Sequence, residues 1–257
     1  MADRGGIPEY IWDGIYATWE DACRVSRLKG VNGHGDRRWL ERIVKQIQDY
    51  RNEFSQYGIA VPPRPSSLPF VCSFVNPCSI IDFGGSSGWT LDYLRNSNRM
   101  LSVTSYIVVE LDQVIEHLKG VGVSDSVVDY RTLRDEFQKC DILYSNSVLQ
   151  YFDSNAPLLR LIEQSTPNFV LLDDLVAKGD EDLFTLQANY GSAIPYRFLS
   201  MSKILGQLEE LGYQELMRSP YASPILGLVK PLEMSNFPVE KRIRYSYTVL
   251  FKRRCDE

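Results

Sequence analysis

The sequence predicts an α/β fold: a mostly parallel β-sheet of seven strands, with an antiparallel hairpin at one edge and a helical cap at the N-terminus. Apolar, strand-like runs alternate with helical stretches between residues 79 and 176, and this alternation is typical of parallel sheets. After residue 200 a helix is followed by two strand-like runs that a long loop connects, which predicts the hairpin. The chain of 257 residues is 44% hydrophobic, which is enough for a sizeable core.

Residues 1–68 are predicted to form a helical cap or lid, and residues 69–257 to form the core. The run "DRRWLERIVKQIQDYRNEF" places large apolar side chains on one stripe at helical spacing, behind an N-cap at Asp36. The stripe consists of Trp39, Ile43, Ile47, Tyr50 and Phe54. We expect this stripe to pack on the core. The proline cluster "VPPRPSSLP" at 61–69 then ends the helical pattern and forms a stiff connector.

Five parallel strands are predicted in the core. They are "SIIDFG", "SYIVVEL", "SVVDYR", "CDILYSN" and "NFVLLDDL". The crossover helices expected between them are "GWTLDYLRN", "DQVIEHLKG", "LRDEFQK" and "APLLRLIEQS". The segment "SMSKILGQLEELGYQEL" predicts a helix that Gly212 ends and a strand that follows it. "IRYSYTVLFKRR" alternates as a strand does, and the loop 222–242 connects these last two strands.

The composition narrows the class of protein. A net charge of −5 and a pI near 5.3 disfavour a general nucleic-acid binder, since such binding depends on Lys and Arg. The five cysteines form no C-x-x-C pair, and several lie in apolar runs, which predicts reduced, mostly buried thiols and a cytoplasmic protein. No signal-peptide pattern and no apolar run of about 18 residues are found, so we expect no membrane span.

The segment "SIIDFGGSSGWTLDYL" places a glycine-rich turn between a buried strand and a helix. A phosphate-binding loop of the ATPase type is excluded, because no lysine follows Gly88. The G-x-G-x-x-G pattern of dinucleotide sites is disfavoured, since Ser86 and Trp89 occupy two of its glycine positions. Asp82, Gly84 and Gly88 fit the acidic-x-G-x-x-x-G pattern of S-adenosylmethionine sites in Rossmann-like methyltransferases. A turn that serves only the path of the chain is the alternative.

A carboxylate lies where a nucleoside ligand needs one. Glu110 lies in the run "YIVVEL", near its end, 22 residues after Gly88 (110 − 88). A carboxylate about 20 residues past such a turn accepts hydrogen bonds from a ribose diol. NAD and S-adenosylmethionine both carry that diol, so Glu110 supports a nucleoside ligand without choosing between them. An ordinary carboxylate at the end of a strand is the alternative.

Small polar residues follow the fourth predicted strand in "LYSNSVLQYF". Ser145, Asn146 and Ser147 would lie at the carboxyl edge of the sheet, beside the glycine turn, where open α/β sheets bind ligands. They are expected either to line the cofactor or acceptor pocket or to cap a helix through Asn146 or Ser147.

The catalytic candidates are few. His34 lies in the loop "GVNGHGD" and is a candidate base if that loop folds over the pocket, with an exposed loop histidine as the alternative. His117 is expected on the surface of a helix. Asp173 and Asp174 end the fifth strand and are candidates for a base or for binding an acceptor hydroxyl. A divalent cation at these carboxylates is an alternative, but the spacing is not diagnostic and no metal is predicted.

An acceptor wall is predicted from aromatic and amide side chains, with plain packing as the alternative for each. These residues are Tyr16, Trp19, Gln187, Tyr190 and Tyr196.

Several motifs together resemble a bacterial family that is defined by sequence and classed as S-adenosylmethionine-dependent methyltransferases. The motifs are "GIYATWEDA", "DFGGSSGW", "VVELDQV", "DILYSNSVLQYF" and "FTLQ…IPYRFLS", and the similarity covers about residues 14–215. Genes of this family often accompany genes for surface polysaccharide. The resemblance implies methyl transfer from S-adenosylmethionine but names no acceptor.

The pattern and the resemblance together predict a Rossmann-like class I methyltransferase that methylates an oxygen of a small polar or sugar-like acceptor. The methionine part is assigned to the glycine turn, the ribose to Glu110 and the adenine to Tyr130. The full set of cofactor residues is Asp82, Gly84, Gly85, Ser86, Gly88, Trp89, Glu110, Tyr130, Asn146 and Ser147. The alternatives are an NAD-binding oxidoreductase or epimerase, and a noncatalytic methyltransferase-like module. A small molecule or glycan is the expected partner, a homodimer is left open, and neither nucleic acid nor membrane is expected.

Overall fold

The computed structural model describes residues 10–28, 37–122, 126–189, 192–221 and 231–254. The strands are β1 (Trp12–Tyr16), β2 (Cys78–Phe83), β3 (Val103–Val109), β4 (Val128–Arg131), β5 (Ile142–Asn146), β6 (Phe169–Leu175), β7 (Leu183–Asn189), β8 (Ser192–Phe198), β9 (Tyr213–Pro220) and β10 (Tyr247–Arg253). The helices are α1 (Trp19–Leu28), α2 (Arg37–Tyr57), α3 (Leu68–Phe74), α4 (Trp89–Ser97), α5 (Asp112–Gly120), α6 (Ala156–Ser165) and α7 (Met201–Glu210). Short 3₁₀ turns occur at Leu149–Tyr151 and Val239–Lys241.

The main sheet has seven strands in the order β4-β3-β2-β5-β6-β10-β9. The strands β2 to β6 run parallel to one another, whereas β10 is antiparallel to both β6 and β9. The predicted fold class is confirmed, including the antiparallel pair at one edge. The strand order reverses around β2, so that β3 lies on one side and β5 on the other, and a crevice opens at the carboxyl ends of these strands.

A second, three-stranded antiparallel sheet has the order β1-β7-β8, and the sequence analysis did not foresee it. Residues 1–68 were expected to be helical, and this is wrong for β1, which pairs Trp12 with Gln187 and Tyr16 with Phe184. The run "WDGIY" is only five residues long and has Gly14 at φ +78°. Its partner strand lies about 170 residues further along the chain, so no local pattern marks the pairing.

The segment "LRDEFQK" was expected to be a crossover helix, but residues 132–140 form a turn followed by chain without regular secondary structure. The Asp135 carboxylate accepts hydrogen bonds from the amide (2.6 Å) and hydroxyl of Thr132, and the Asp135 amide donates to the Thr132 carbonyl. Arg131 donates to the carbonyl of Glu136. These side-chain bonds compete with a helix for the backbone groups, and Phe137 and Cys140 are buried without a helix.

Helices cover the sheet on both faces. Buried side chains of α6 and α7 pack on one face, and those of α3 and α4 pack on the other. Two residues of the predicted stripe of α2 pack on neighbouring helices: Ile43, together with Leu40, contacts the α5 residues Val114 and Leu118, and Ile47 contacts Trp89. Through these contacts α2 lies beside the glycine turn. Among the described residues no helix is both long enough and apolar enough to span a membrane.

Candidate functional site

A cavity of about 540 Å³ opens at the carboxyl ends of β2, β3 and β5. Its walls come from the turn after β2, the start of α4, the segments after β3, β4 and β5, one face of α2, residues 63–64 and Gln187 of β7. The position is the topological switch point of the sheet, and the volume lies in the ~300–1,000 Å³ range of small-molecule sites. Parts of the chain that are far apart in sequence therefore converge on one ligand-sized space.

The glycine turn needs glycine at defined positions. Gly84 has φ +75°, and a Cβ there would lie 2.2 Å from Cγ2 of Val148. A Cβ at Gly85 would lie 2.5 Å from the Asp82 carboxylate. Gly88 is the N-cap of α4 with φ +73°. Ser86 also adopts a left-handed conformation, with φ +54°, although it is not glycine. Backbone strain of this kind is common where a loop is held for a ligand.

Asp82 lies beneath this turn and is 2% exposed. Its Oδ2 accepts a hydrogen bond of 2.5 Å from the Tyr106 hydroxyl. Burial raises the pKa of Asp82 to about 7; hydrogen bonds from Tyr106 and Thr90 act in the opposite direction, and the charge of Glu110 adds to the rise. The carboxylate lines the cavity, and its raised pKa lies far closer to neutrality than that of an exposed aspartate.

Glu110, at the end of β3, is brought against the glycine turn. Its Oε2 accepts a hydrogen bond from the Ser86 amide (3.2 Å), and its Oε1 accepts one from the Leu111 amide (2.9 Å). Burial raises the pKa of Glu110, while these two backbone bonds lower it. The carboxylate is fixed by backbone donors on two sides and lines the cavity, where its remaining lone pairs can accept further bonds.

Two predicted cofactor residues, Tyr130 and Gly88, lie outside the cavity wall. The Tyr130 hydroxyl donates to the Ser87 carbonyl (2.8 Å), so this tyrosine supports the glycine turn from behind. The residues after β4 that line the cavity are Thr132, Leu133 and Arg134, which sequence reasoning missed.

Asn146 and Ser147, at the end of β5, both line the cavity. The Asn146 amide donates to the Tyr144 hydroxyl (3.0 Å) and the Pro65 carbonyl (3.2 Å), and its Oδ1 is buried without a hydrogen-bond partner. The alternative of helix capping is not observed, because the next 3₁₀ turn has Val148 at its N-cap and no side-chain cap. Ser145 instead donates to the carbonyl of Phe83, between the central strands.

Asp173 is buried near the carboxyl end of β6. Its oxygens accept hydrogen bonds from the Thr248 hydroxyl (2.7 Å) and the Ser67 amide (3.2 Å). Burial raises its pKa, and these hydrogen bonds act in the opposite direction. Asp173 does not line the cavity, and its contacts tie β6 to β10 and to the start of α3.

Asp174 contacts two residues that line the cavity, Ser147 and Arg64. It accepts a hydrogen bond from the Ser147 hydroxyl and lies 3.6 Å from the guanidinium of Arg64. Ser147 and Arg64 line the cavity, although Asp174 does not. Ser147 and Asp174 have φ values of +59° and +52°, which are uncommon for residues other than glycine. Two residues with a left-handed backbone, one just after β5 and one near the end of β6, therefore hydrogen-bond each other beside the cavity.

Of the predicted acceptor wall, Gln187 lines the cavity, and its Oε1 accepts a hydrogen bond from the Tyr151 hydroxyl (2.9 Å). Trp19 packs on Phe184 with ring centroids 6.2 Å apart, and Tyr196 is buried in the second sheet. Neither these two nor Tyr16 lines the cavity. Tyr190 and the candidate base His34 lie outside the described residues, as does the expected cap Asp36.

One wall of the cavity is formed by α2 and the connector after it. Trp39, Arg42, Ile43 and Gln46 line it from α2, and Arg64 from the connector. Sequence reasoning placed Trp39 and Ile43 on a packing stripe and missed the polar members. The sequence spacing could have revealed them. Residues 39, 42, 43 and 46 lie on one face of a helix, so Arg42 and Gln46 are expected beside the apolar stripe.

No protein-family model matches the sequence, and no curated protein matches it. Among solved structures, the 1,6-didemethyltoxoflavin-N1-methyltransferase of Burkholderia thailandensis, with bound 1,6-didemethyltoxoflavin and S-adenosylhomocysteine, is similar over 95% of this chain and 93% of that chain. The identity is 15% and the TM-score 0.50. The present chain has a methyltransferase fold. An S-adenosylmethionine-dependent methyltransferase of Mesorhizobium loti is similar over 73% of this chain and 97% of that chain, with 12% identity and a TM-score of 0.48.

The described part of this methyltransferase fold contains no group of three or more His, Cys, Asp or Glu side chains arranged to hold a metal ion. The neighbouring Asp173 and Asp174 illustrate why. One is engaged by Thr248 and Ser67, and the other by Ser147 and Arg64, so the two carboxylates have separate sets of partners.

Proposed function

We propose that this protein is an S-adenosylmethionine-dependent methyltransferase that methylates an oxygen atom of a small polar acceptor. The observation that carries the proposal is the meeting of the glycine turn and Glu110 at one cavity wall, with the carboxylate bonded to the Ser86 amide at 3.2 Å. A ribose diol needs such an ionisable acceptor beside a turn of this kind. The fold, shared with methyltransferases, supports the same conclusion.

The residues present fit the cofactor. Glu110 has lone pairs left for a ribose diol, and Asp82 at the wall is suited to an ammonium group. The buried Oδ1 of Asn146 lacks a partner, and a bound polar ligand would supply a donor. Leu111 and Leu133 provide apolar surface beyond Glu110 for an adenine ring. When bound, S-adenosylmethionine supplies a methyl group on a sulfonium.

The acceptor end must orient an oxygen in line and accept its proton. In the transfer, the new O–C bond forms as the S–C bond breaks, the electron pair stays on sulfur, and a hydroxyl acceptor loses its proton. We assign the proton-accepting role to Asp174 acting through the Ser147 hydroxyl, which lines the cavity. Asp173 is assigned a supporting role, because both of its oxygens are engaged away from the cavity.

The wall from α2 supports a role of residues 1–68 in selecting the acceptor and excluding water. Trp39, Arg42 and Gln46 face the space that the glycine turn leaves open. Deleting residues 1–35 would also remove β1 and the buried Trp12. Point variants of α2 therefore test the lid more cleanly than truncation. A sugar-like acceptor from surface-polysaccharide synthesis is the class that the sequence resemblance suggests.

Ligand binding tests the proposal directly. S-adenosylmethionine or S-adenosylhomocysteine at about 100 times its Kd should stabilise the fold by about 2.7 kcal/mol, which corresponds to a Tm increase of roughly 5–10 °C for a chain of this size. Glu110→Gln should weaken binding by about 1.5–3 kcal/mol, or roughly 10–150-fold in Kd. Glu116→Gln, the same change at an exposed carboxylate of α5, is the control.

A Tm increase with NAD and none with either methionine derivative at millimolar concentration would overturn the proposal in favour of an NAD enzyme. Cofactor binding without release of S-adenosylhomocysteine, across a panel of hydroxylated acceptors, would favour a noncatalytic binding module.

A further inference from the structure

We propose that the methyl acceptor carries a carbonyl group, and that Gln187 selects it by donating a hydrogen bond from its side-chain nitrogen to the carbonyl oxygen. This inference rests on the proposed function and names its substrate class. It is carried by the pair that Gln187 and Tyr151 form at the cavity wall, in which Tyr151 engages only the oxygen end of the glutamine side chain.

The donor end of Gln187 is open to the cavity. The Tyr151 hydroxyl donates to Oε1 of Gln187 (2.9 Å), so the oxygen end of the side chain faces the tyrosine. Within the part of the chain that the structure describes, Nε2 donates no hydrogen bond, and the protein does not enclose this atom. Gln187 lines the cavity. Because an amide nitrogen can only donate, the complementary ligand atom is a hydrogen-bond acceptor.

The backbone of Gln187 is held on both sides. The strand β7 is the central strand of the second sheet, where Gln187 pairs with Trp12 of β1 and with Ile194 of β8. Trp12 and Ile194 are both buried. A donor on a strand keeps its position more precisely than a donor on a loop. The amide of Gln187 is therefore suited to selecting a ligand group by its position.

Tyr151, which orients the glutamine, is fixed as well. Its ring packs edge-on against the ring of Tyr196, with centroids 5.5 Å apart. Its backbone amide donates to the carbonyl of Val148 (3.0 Å). The buried guanidinium of Arg197 donates to the carbonyl of Leu149 (3.4 Å), so the second sheet also holds the 3₁₀ turn that carries the tyrosine. Such preorganisation reduces the entropy lost when a ligand binds.

The pair lies on the side of the glycine turn that is assigned to the acceptor. In the main sheet, β3 with Glu110 at its end lies on one side of β2, and β5 lies on the other. Ser147 and Tyr151 both belong to the connection that follows β5. Since Gln187 contacts Tyr151, it lies on the same side as Ser147 and across the turn from the carboxylate assigned to the ribose.

The surroundings of the pair favour a carbonyl over a hydroxyl. Val148, Tyr151 and Phe152 line the cavity from the connection after β5, and the ring of Phe152 packs against that of Phe83, with centroids 5.5 Å apart. A carbonyl oxygen accepts from Gln187 without bringing a proton of its own, whereas a hydroxyl brings one that needs another acceptor. A polar group that stays unpaired against an apolar wall is unfavourable.

Carbonyl preference can be measured on protein saturated with S-adenosylhomocysteine, after the Tm increase has shown saturation. Two pairs of probes differ in the presence of a carbonyl: 4-hydroxyacetophenone against 4-ethylphenol, and N-acetyl-D-glucosamine against D-glucose. A fifth probe, 4-hydroxybenzylamine, presents an ammonium group instead. Each Kd is measured by calorimetry at pH 8 for the unmodified protein, Gln187→Glu and Gln187→Met. Gln214→Glu is the control, because Gln214 is an exposed glutamine of β9 outside the cavity wall.

The carbonyl member of at least one pair should bind about threefold or more tightly than its counterpart, as expected for one hydrogen bond. Gln187→Glu keeps an acceptor for the Tyr151 hydroxyl but replaces the N–H donors with a charged oxygen. In this variant the preference should disappear, and 4-hydroxybenzylamine should bind more tightly than 4-hydroxyacetophenone. Gln187→Met should bind both members of each pair equally. Both variants should keep the Kd of S-adenosylhomocysteine within threefold, and Gln214→Glu should change no Kd.

Equal binding within both pairs by the unmodified protein overturns the inference, as does a carbonyl preference that persists in Gln187→Glu and Gln187→Met. A loss of S-adenosylhomocysteine affinity of tenfold or more in Gln187→Met also overturns it, since the amide would then hold the cofactor. Failure of S-adenosylhomocysteine to raise the Tm of the unmodified protein refutes the proposed function itself, before any acceptor probe is added.

Discussion

Replacing Asp82 with asparagine is expected to stabilise the folded protein at pH 8 while changing its stability little near pH 4. The carboxyl group is 2% exposed, and burial raises its pKa from 3.8 to about 7. Between these two values the folded state holds a proton that the unfolded chain has released, so the free energy of unfolding falls as pH rises. Asparagine keeps the shape and a hydrogen-bond acceptor for Tyr106 without this titration.

The size of the effect follows from the pKa difference. The rise from 3.8 to about 7 corresponds to on the order of 4 kcal/mol, at about 1.4 kcal/mol per unit. The contribution of Asp82 is fully favourable below pH 4 and is lost as pH rises to 7. The stability of Asp82→Asn relative to the unmodified protein should therefore grow by about 1.4 kcal/mol per pH unit between pH 5 and 7, and level off above pH 8.

Urea unfolding at five pH values from 4.5 to 8.5, followed by fluorescence and circular dichroism, measures this difference. Coincidence of the two signals checks that the transition is two-state. Glu116→Gln controls for the loss of one negative charge at an exposed site of α5. A stability difference that is independent of pH, or an asparagine variant that is less stable at pH 8, would refute the reasoning. The variant should also bind S-adenosylmethionine more weakly, because the group assigned to its ammonium is gone.

Three further variants test the turn, the base and the second sheet. Gly84→Ala should destabilise the fold by about 2–4 kcal/mol, because φ is +75° and the new Cβ would lie 2.2 Å from Val148. In urea unfolding, adding Val148→Ala should restore part of this lost stability. If the stability losses of the two single variants simply add in the double variant, the contact with Val148 is contradicted. Asp174→Asn should lower turnover at least tenfold with an unchanged cofactor Kd, and an unaltered pH–rate profile would argue against its role as base. Arg197→Met should lower the free energy of unfolding by about 3 kcal/mol or more, because the buried guanidinium donates a hydrogen bond to Asn155 at 2.6 Å and its loss leaves buried acceptors unpaired. An unchanged midpoint of urea unfolding would contradict this.

The local pattern of apolar and polar residues was sufficient to predict the main sheet. A buried parallel strand is a short apolar run, and a helix that covers it has an apolar stripe, so β2 to β6 and most of their helices could be predicted from residues near one another. The failed helix at 133–139 was a local error as well, since the contacts of Thr132 with Asp135 favour a turn. The strand β1 could not be predicted locally, because its pairing with β7 joins distant parts of the chain.

For the site, the sequence by itself determined which residues meet at the glycine turn. Gly84 and Glu110 occur at spacings that depend only on the geometry of a strand, a turn and a helix, so their convergence could be anticipated. The cavity wall that α2 and the connector form was decided by tertiary structure. Packing of α2 against α5 brings Arg42 to the cavity, and the connector brings Arg64 within 3.6 Å of Asp174. The physical reason is that no sequence spacing constrains how a surface helix docks, whereas burial of its apolar stripe does.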